Sequence, residues 1–141
     1  MAQPSQTAHS IFSISALHAH CMKQLNAQLS VHGINFTEFM ILQSLENAAE
    51  NTMRRIELAN AVNLTASGVT RVLHPMERIH LIEKRSNPRD ARISLVKLTS
   101  AGKTIYTEAL ITVESCAESL MAPLTSNQIE TLTGLIKKLS V

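Results

Sequence analysis

Residues 54–72 read RRIELANAVNLTASGVTRV, and the spacing within them decides the fold. Leu58 and Ala59 form the buried pair of a short helix that stops at Asn63, the alanine being small enough to let a second helix cross closely. Asn63 falls where the chain must turn through a left-handed conformation, which asparagine tolerates. Leu64 anchors the turn in the core, and Thr65 offers the oxygen that caps the next helix, residues 66–79. In that helix Val69, Val72, Leu73 and Met76 make one apolar side, although Pro75 should remove a backbone hydrogen bond. The face left over carries Ala66, Ser67, Gly68, Thr70, Arg71 and His74, small residues at the tip and donors beyond. A helix entering a DNA major groove needs that order, because bulk at its N-terminus would hold it off the base edges. This is the pattern of a helix-turn-helix.

Downstream, Leu81 to Arg85 and Ile93 to Leu98 read as two short strands. The hairpin between them is RSNPRDAR, residues 85–92. A turn needs Asn, Gly or Pro for its backbone and has no use for clustered guanidinium groups. Here Arg85, Arg89 and Arg92 crowd around one carboxylate, Asp90. A helix-turn-helix followed by a basic hairpin is a winged helix, whose arginines can reach phosphates or the narrow minor groove. Asp90 is expected to pair with Arg92 and aim it, since an exposed ion pair adds little stability. The competing reading is a winged helix whose basic hairpin binds an acidic protein partner.

The charge distribution favours a nucleic acid. Residues 53–103 hold ten Lys/Arg against four acids, whereas the remainder holds three against seven, and the whole chain sums to +2. A basic middle between acidic ends is the footprint of a nucleic-acid module joined to something else. At 141 residues and 45% hydrophobic, the chain reads as one globular domain, 1–141. No apolar run approaches membrane-spanning length, and the first lysine is Lys23, so a secretory n-region is missing. With two unpaired cysteines, the expected location is the reducing cytoplasm.

Helices flank the winged segment. Residues 1–9 are polar and should fray, and Ile11, Ile14, His18, Cys21 and Leu25 recur at helical steps through residues 10–31. Thr37 is expected to cap a second helix with Phe39, Ile41, Leu42 and Leu45 inside, and residues 46–52 to form a loop. A long helix over 100–121 carries Ile105, Ala109, Thr112, Cys116 and Leu120 on one side. Thr125 and Gln128 then fit a capping box for a last helix with Ile129, Leu132, Ile136 and Leu139. The apolar sides of the first, fifth and sixth helices are too extensive for one chain to bury.

Together these residues resemble the MarR family of winged helix-turn-helix bacterial transcriptional regulators. The resemblance is carried by Leu58-Ala59, Leu64-Thr65, Ser67, Val69-Thr70, Met76-Glu77, Leu81-Ile82, Asn87-Pro88, Asp90-Ala91-Arg92, and Leu98-Thr99 with Gly102. Two positions depart from it: His80 stands where the family usually ends its recognition helix with Gly, and Asn87 replaces a frequent Asp. The resemblance implies a mainly α fold with a small β-hairpin. The winged helix-turn-helix core would span 36–98, flanked by dimerisation helices at 10–34 and 100–141. It further implies a homodimer on double-stranded DNA at a pseudo-palindromic operator. Family members mostly repress, and many release DNA when a small ligand binds between the dimer core and the winged helix. The residues expected at the DNA are Thr65, Ser67, Gly68, Thr70, Arg71, His74, Arg85, Arg89, Asp90 and Arg92.

Other chemistries find weaker support. Cys21 has only Lys23 as a nearby cation in sequence, so it reads as a packed helix thiol rather than an oxidation sensor. His18, His20, Cys21 and His32 suggest zinc, yet His18 and His20 would point roughly 200° apart on a helix. No cofactor or metal is expected. No nucleophile lies at useful spacing from a base, and there is no phosphate loop, so no enzyme is expected. The six methionines read as gap-filling residues of core or interface.

Overall fold

The computed structural model describes residues 1–140; the last residue of the 100–141 segment lies outside the described residues. Helix α1 spans Gln6–Leu29, α2 Phe36–Glu46, and strand β1 Thr52–Arg54. Helices α3 (Arg55–Ala61) and α4 (Ala66–Arg78) follow, then strands β2 (Ile82–Asn87) and β3 (Asp90–Leu98), and helices α5 (Ser100–Met121) and α6 (Ser126–Leu139). The three strands form one antiparallel sheet in the order β1-β3-β2.

Several boundaries differ from the sequence reading, each for a local reason. The N-terminal residues do not fray as far as expected, because Ser5 accepts a hydrogen bond from Ala8 N and starts α1 at Gln6. Asn35, not Thr37, caps α2. Its side chain accepts from Glu38 N while Glu38 returns the bond to Asn35 N, a full capping box. The segment 46–52 is not simply a loop: Ala49–Asn51 make a 3-10 turn and Thr52 begins β1. β1 pairs with β3, placing Met53 opposite Val96 and Arg54 opposite Leu95. The hairpin strands are also longer than expected, reaching Asn87 and resuming at Asp90, with only Pro88 and Arg89 between them. Asn87 Oδ1 accepts from Arg89 N at 2.8 Å and closes that turn, so Arg92 belongs to a strand rather than to a loop.

The core is continuous. Leu58 and Ala59 of α3 pack with Val69, Leu73 and Met76 of α4, and with Phe39, Ile41, Leu42 and Leu45 of α2. Val96 and Leu98 of β3 close it from the sheet side, and Phe39 stacks on Tyr106 of α5 with centroids 5.4 Å apart. His32, a candidate metal ligand by sequence, is bonded through Nε2 to Thr112 Oγ1 at 2.6 Å. Cys116 is buried, and burial pushes its thiol up, with Cys21 nearby adding to the shift. That is the setting of a packed thiol rather than a reactive one.

Gly102 marks the tightest junction. A Cβ there would lie 2.1 Å from the backbone oxygen of Leu81. Helix α5 can dock against the start of the wing only because that position has no side chain. Gly102→Ala is therefore expected to destabilise the fold by about 1–3 kcal/mol, as overpacking does, readable as a lower midpoint in urea.

Candidate nucleic-acid interface

The turn between α3 and α4 is built as its residues require. Asn63 sits at φ 59°, the left-handed conformation. Leu64 N then donates to Ala59 O at 2.9 Å and ties the turn back to α3. Thr65 Oγ1 accepts from Gly68 N at 3.0 Å and starts α4, a cap worth about 1 kcal/mol. A Cβ at Gly68 would stand 3.0 Å from that same oxygen, so Gly68 keeps the cap close as well as the tip slim. Ser67 lies 3.3 Å from Thr65, hydroxyl to hydroxyl. Both hydroxyls at the tip are thus engaged in shaping it.

Further along α4 the burial pattern separates two sides. Val69, Leu73 and Met76 are buried, while Thr70, Arg71 and His74 are exposed on the opposite face. Just past the end of α4, His80 has a φ of 61° and supplies the left-handed residue that glycine would otherwise provide. Its carbonyl accepts from Thr99 Oγ1 at 2.6 Å, which holds that turn in place.

The wing carries the pairing expected of it. Arg92 Nε donates to Asp90 Oδ1 at 3.1 Å and Nη2 to Oδ2 at 3.3 Å, while Arg92 N also donates to Oδ1 at 3.0 Å. One carboxylate fixes both the backbone and the guanidinium of Arg92, whose side chain is 91% exposed. The hydrogen bonds from Arg92, with Arg54 contributing, hold the Asp90 carboxyl below its ordinary value. A depressed carboxyl keeps its partner above its unfolded pKa and releases it only as pH falls through the folded one. The pair therefore persists throughout the neutral range. Arg85 is instead tied to Glu83 along its own strand at 2.6 Å. Arg89 stands exposed at the tip, where only its backbone is engaged by Asn87.

Three cations escaped the sequence reading. Arg55 lines a cleft of about 370 Å³ with Thr70, Arg71, Leu73, His74 and Lys84, between α3, α4 and β2. Arg54 and Arg55 share a second groove with Arg92 and Ser94 at the base of the wing. The signal available in sequence was the Arg54-Arg55 pair at the head of the helix-turn-helix. Its significance depends on β1, which brings it beside β3. A separate cavity of about 400 Å³ lies on the other side of the turn, lined by His18 and Met22 of α1, Phe36, Thr37 and Met40 of α2, and Ala61, Val62 and Asn63.

A helix-turn-helix whose second helix presents a polar face, followed by a basic two-stranded wing, defines a winged helix-turn-helix protein. Residues 34–94 match the model of the MarR family. The multiple antibiotic resistance protein MarR of Escherichia coli (strain K12) is 31% identical over 115 residues, covering 81% of this chain and 78% of that protein. The chain belongs to the MarR family. Transcriptional repressor MprA of the same organism is 27% identical, over 87% of this chain and 70% of its own length. Among solved structures, a cysteine-to-serine mutant of Escherichia coli MarR complexed with operator DNA superposes with a TM-score of 0.83 at 29% identity, covering 89% of each chain.

Among the described residues no helix is long and apolar enough to cross a membrane. Also among the described residues, no group of three or more His, Cys, Asp or Glu side chains is placed to hold a metal ion.

Proposed function

We propose that the protein is a homodimeric, sequence-specific transcriptional repressor of the bacterial cytoplasm, without enzymatic activity, released from its operator by a small-molecule effector. The observation that carries the reading is the Asp90–Arg92 pair. It holds a nearly fully exposed guanidinium in a set direction on the same side of the molecule as Arg54 and Arg55. Such a pair adds little to stability, so its use is to meet an anion. Residues 36–98 serve as the DNA-binding core: Ser67, Thr70, Arg71 and His74 enter the major groove, and Arg85, Arg89 and Arg92 take the backbone beside it. Thr65 and Gly68 act at one remove, by shaping the helix tip, and Asp90 by aiming Arg92.

Residues 10–34 and 100–141 form the dimer core. Its support is the apolar surface a single chain leaves open, including Phe12 at 55%, Ile111 at 71% and Leu139 at 72% exposure. Large apolar side chains exposed along three helices fit an interface, the usual meaning of extensive exposed apolar surface. The cavity between α1, α2 and the Asn63 turn suits the effector. Thioethers and a phenyl ring line it with His18, and a ligand there would press on the turn that sets the angle of α4.

The test is duplex-DNA binding by the purified protein across salt concentrations, followed by footprinting on co-purifying genomic fragments. The expected site is a pseudo-palindrome with half-site centres about 10 bp apart, one recognition helix per half. Affinity should fall steeply with salt. An asymmetric footprint, or binding indifferent to salt, would count against the reading.

A further inference from the structure

We propose that Arg55 is a positioning residue: it fixes Thr70 as a hydrogen-bond acceptor, so that the base opposite Thr70 is read through an exocyclic amino group, that of adenine or cytosine. The proposal rests on the DNA-binding reading above and adds to it a base preference and a residue outside the recognition helix that sets it.

A threonine hydroxyl has one proton and two lone pairs, and it ordinarily rotates to suit its partner. A free threonine on a recognition helix can therefore serve either kind of base edge. Thr70 has lost that choice. Its Oγ1 donates its only proton to Ala66 O at 3.0 Å, one turn back along α4. Arg55 Nη1, which can only donate, takes one lone pair at 2.7 Å from across the α3–α4 junction. What remains on the exposed side chain is a single lone pair. In the major groove adenine N6 and cytosine N4 offer a proton to it, whereas guanine and thymine present acceptor oxygens at the corresponding edge.

Arg55 is well placed to keep this arrangement. It is the first residue of α3 and is half-buried, so its guanidinium starts from a fixed backbone. Arg71, His74 and Lys84 surround the same cleft. Arg71 and Lys84 add positive charge to that cleft, which disfavours an unpartnered guanidinium, and the oxygen that partners Arg55 is Thr70 Oγ1. A role confined to a phosphate contact would instead raise affinity for every sequence alike.

The experiment uses the full chain and the operator found by footprinting. Base preference is measured at each operator position, and the position governed by Thr70 is the one whose preference Thr70→Val abolishes. There, adenine is replaced by purine, or cytosine by 2-pyrimidinone, either change deleting only the amino group. The wild-type protein should lose about fivefold in affinity on that deletion, the size of one neutral hydrogen bond. Arg55→Ala should lose the preference at the same position, and the double variant should be no worse there than Thr70→Val alone. Arg55→Lys, which keeps a donor and guards against a folding defect in the alanine variant, should retain part of the preference. The proposal is overturned if Arg55→Ala weakens operator and random DNA equally while the preference stays, or if the preferred base is guanine or thymine. Failure of the wild-type protein to bind any duplex in a salt-dependent way would overturn the repressor reading itself, a distinguishable result.

Discussion

Removal of α6 is expected to leave no soluble, folded protein. In the single chain α6 has no buried residue: Ile129 and Leu132 are half-covered, while Leu135, Ile136 and Leu139 face outward. In the proposed dimer, such a helix would be held by the partner copy, covering apolar positions of its α1 and α5. Ile11, Phe12, Ile14 and Leu17 of α1 and Ile111 of α5 are exposed in the single chain, and on the dimer reading the deletion would strip them of their cover. Such a surface finds other copies indiscriminately. Size exclusion with light scattering should show aggregates, and far-UV circular dichroism a loss of helix. The intact protein should in turn melt at a temperature that rises with its concentration, because folding and association are linked. A well-folded monomer after the deletion would remove the dimer core from the account.

Arg71→Ala and Arg92→Ala should fail in different ways, and the difference separates reading from gripping. Arg71 is exposed on the polar side of α4, the side proposed to enter the major groove. Its loss should relax base preference at one position per half-site, by about 1–3 kcal/mol for a bidentate contact to guanine. Arg92 lies on the wing, where phosphate contacts position a protein without reading sequence. Its loss should weaken operator and random DNA by similar factors and lower the salt slope by about one unit per contact. Asp90→Ala should give a milder copy of the Arg92 defect, since the guanidinium stays but is no longer held at both Nε and Nη2. Titrations on both DNAs at several salt concentrations decide it. If Arg92→Ala changes neither nonspecific binding nor the slope, the wing meets an acidic protein rather than a phosphate backbone.

Most of the winged helix was legible because its signals are local. Asn63, Thr65 and the apolar set Val69, Leu73 and Met76 each act within a turn or two, and each stands where the spacing put it. The Asp90–Arg92 pair was legible for the same reason, its partners being two residues apart. The Asn35 cap was also open to reading, because Glu38 follows it at capping-box distance and Thr37 has no such partner. β1 was a different matter. Three residues, Thr-Met-Arg, carry no alternation, and they become a strand only because β3 offers an edge far along the chain. With β1 hidden, nothing in the spacing shows that Arg54 and Arg55, at the head of α3, also lie beside β3 and the exposed side of α4. The bond from Arg55 to Thr70 belongs to the same class: it exists through helix crossing, which spacing along one helix does not report.

One side chain of the wing's exit bears on how a signal would travel. The hydroxyl of Thr99 shares its proton between His80 O and Leu81 O, at 2.6 and 3.0 Å, and accepts from Gly102 N at 3.0 Å. The end of α4, the root of the wing and the first turn of α5 thus meet at a single oxygen, with Gly102 leaving no slack between them. A joint locked in this way behaves as a welded lever. On the dimer reading, rotation of α5 would be expected to carry the end of α4 and the root of the wing with it. On the proposed repressor reading, release from DNA would then need no unfolding of α4 or the wing: a tilt of α5 in the dimer would change the separation of the two α4 helices and spoil their fit to successive grooves.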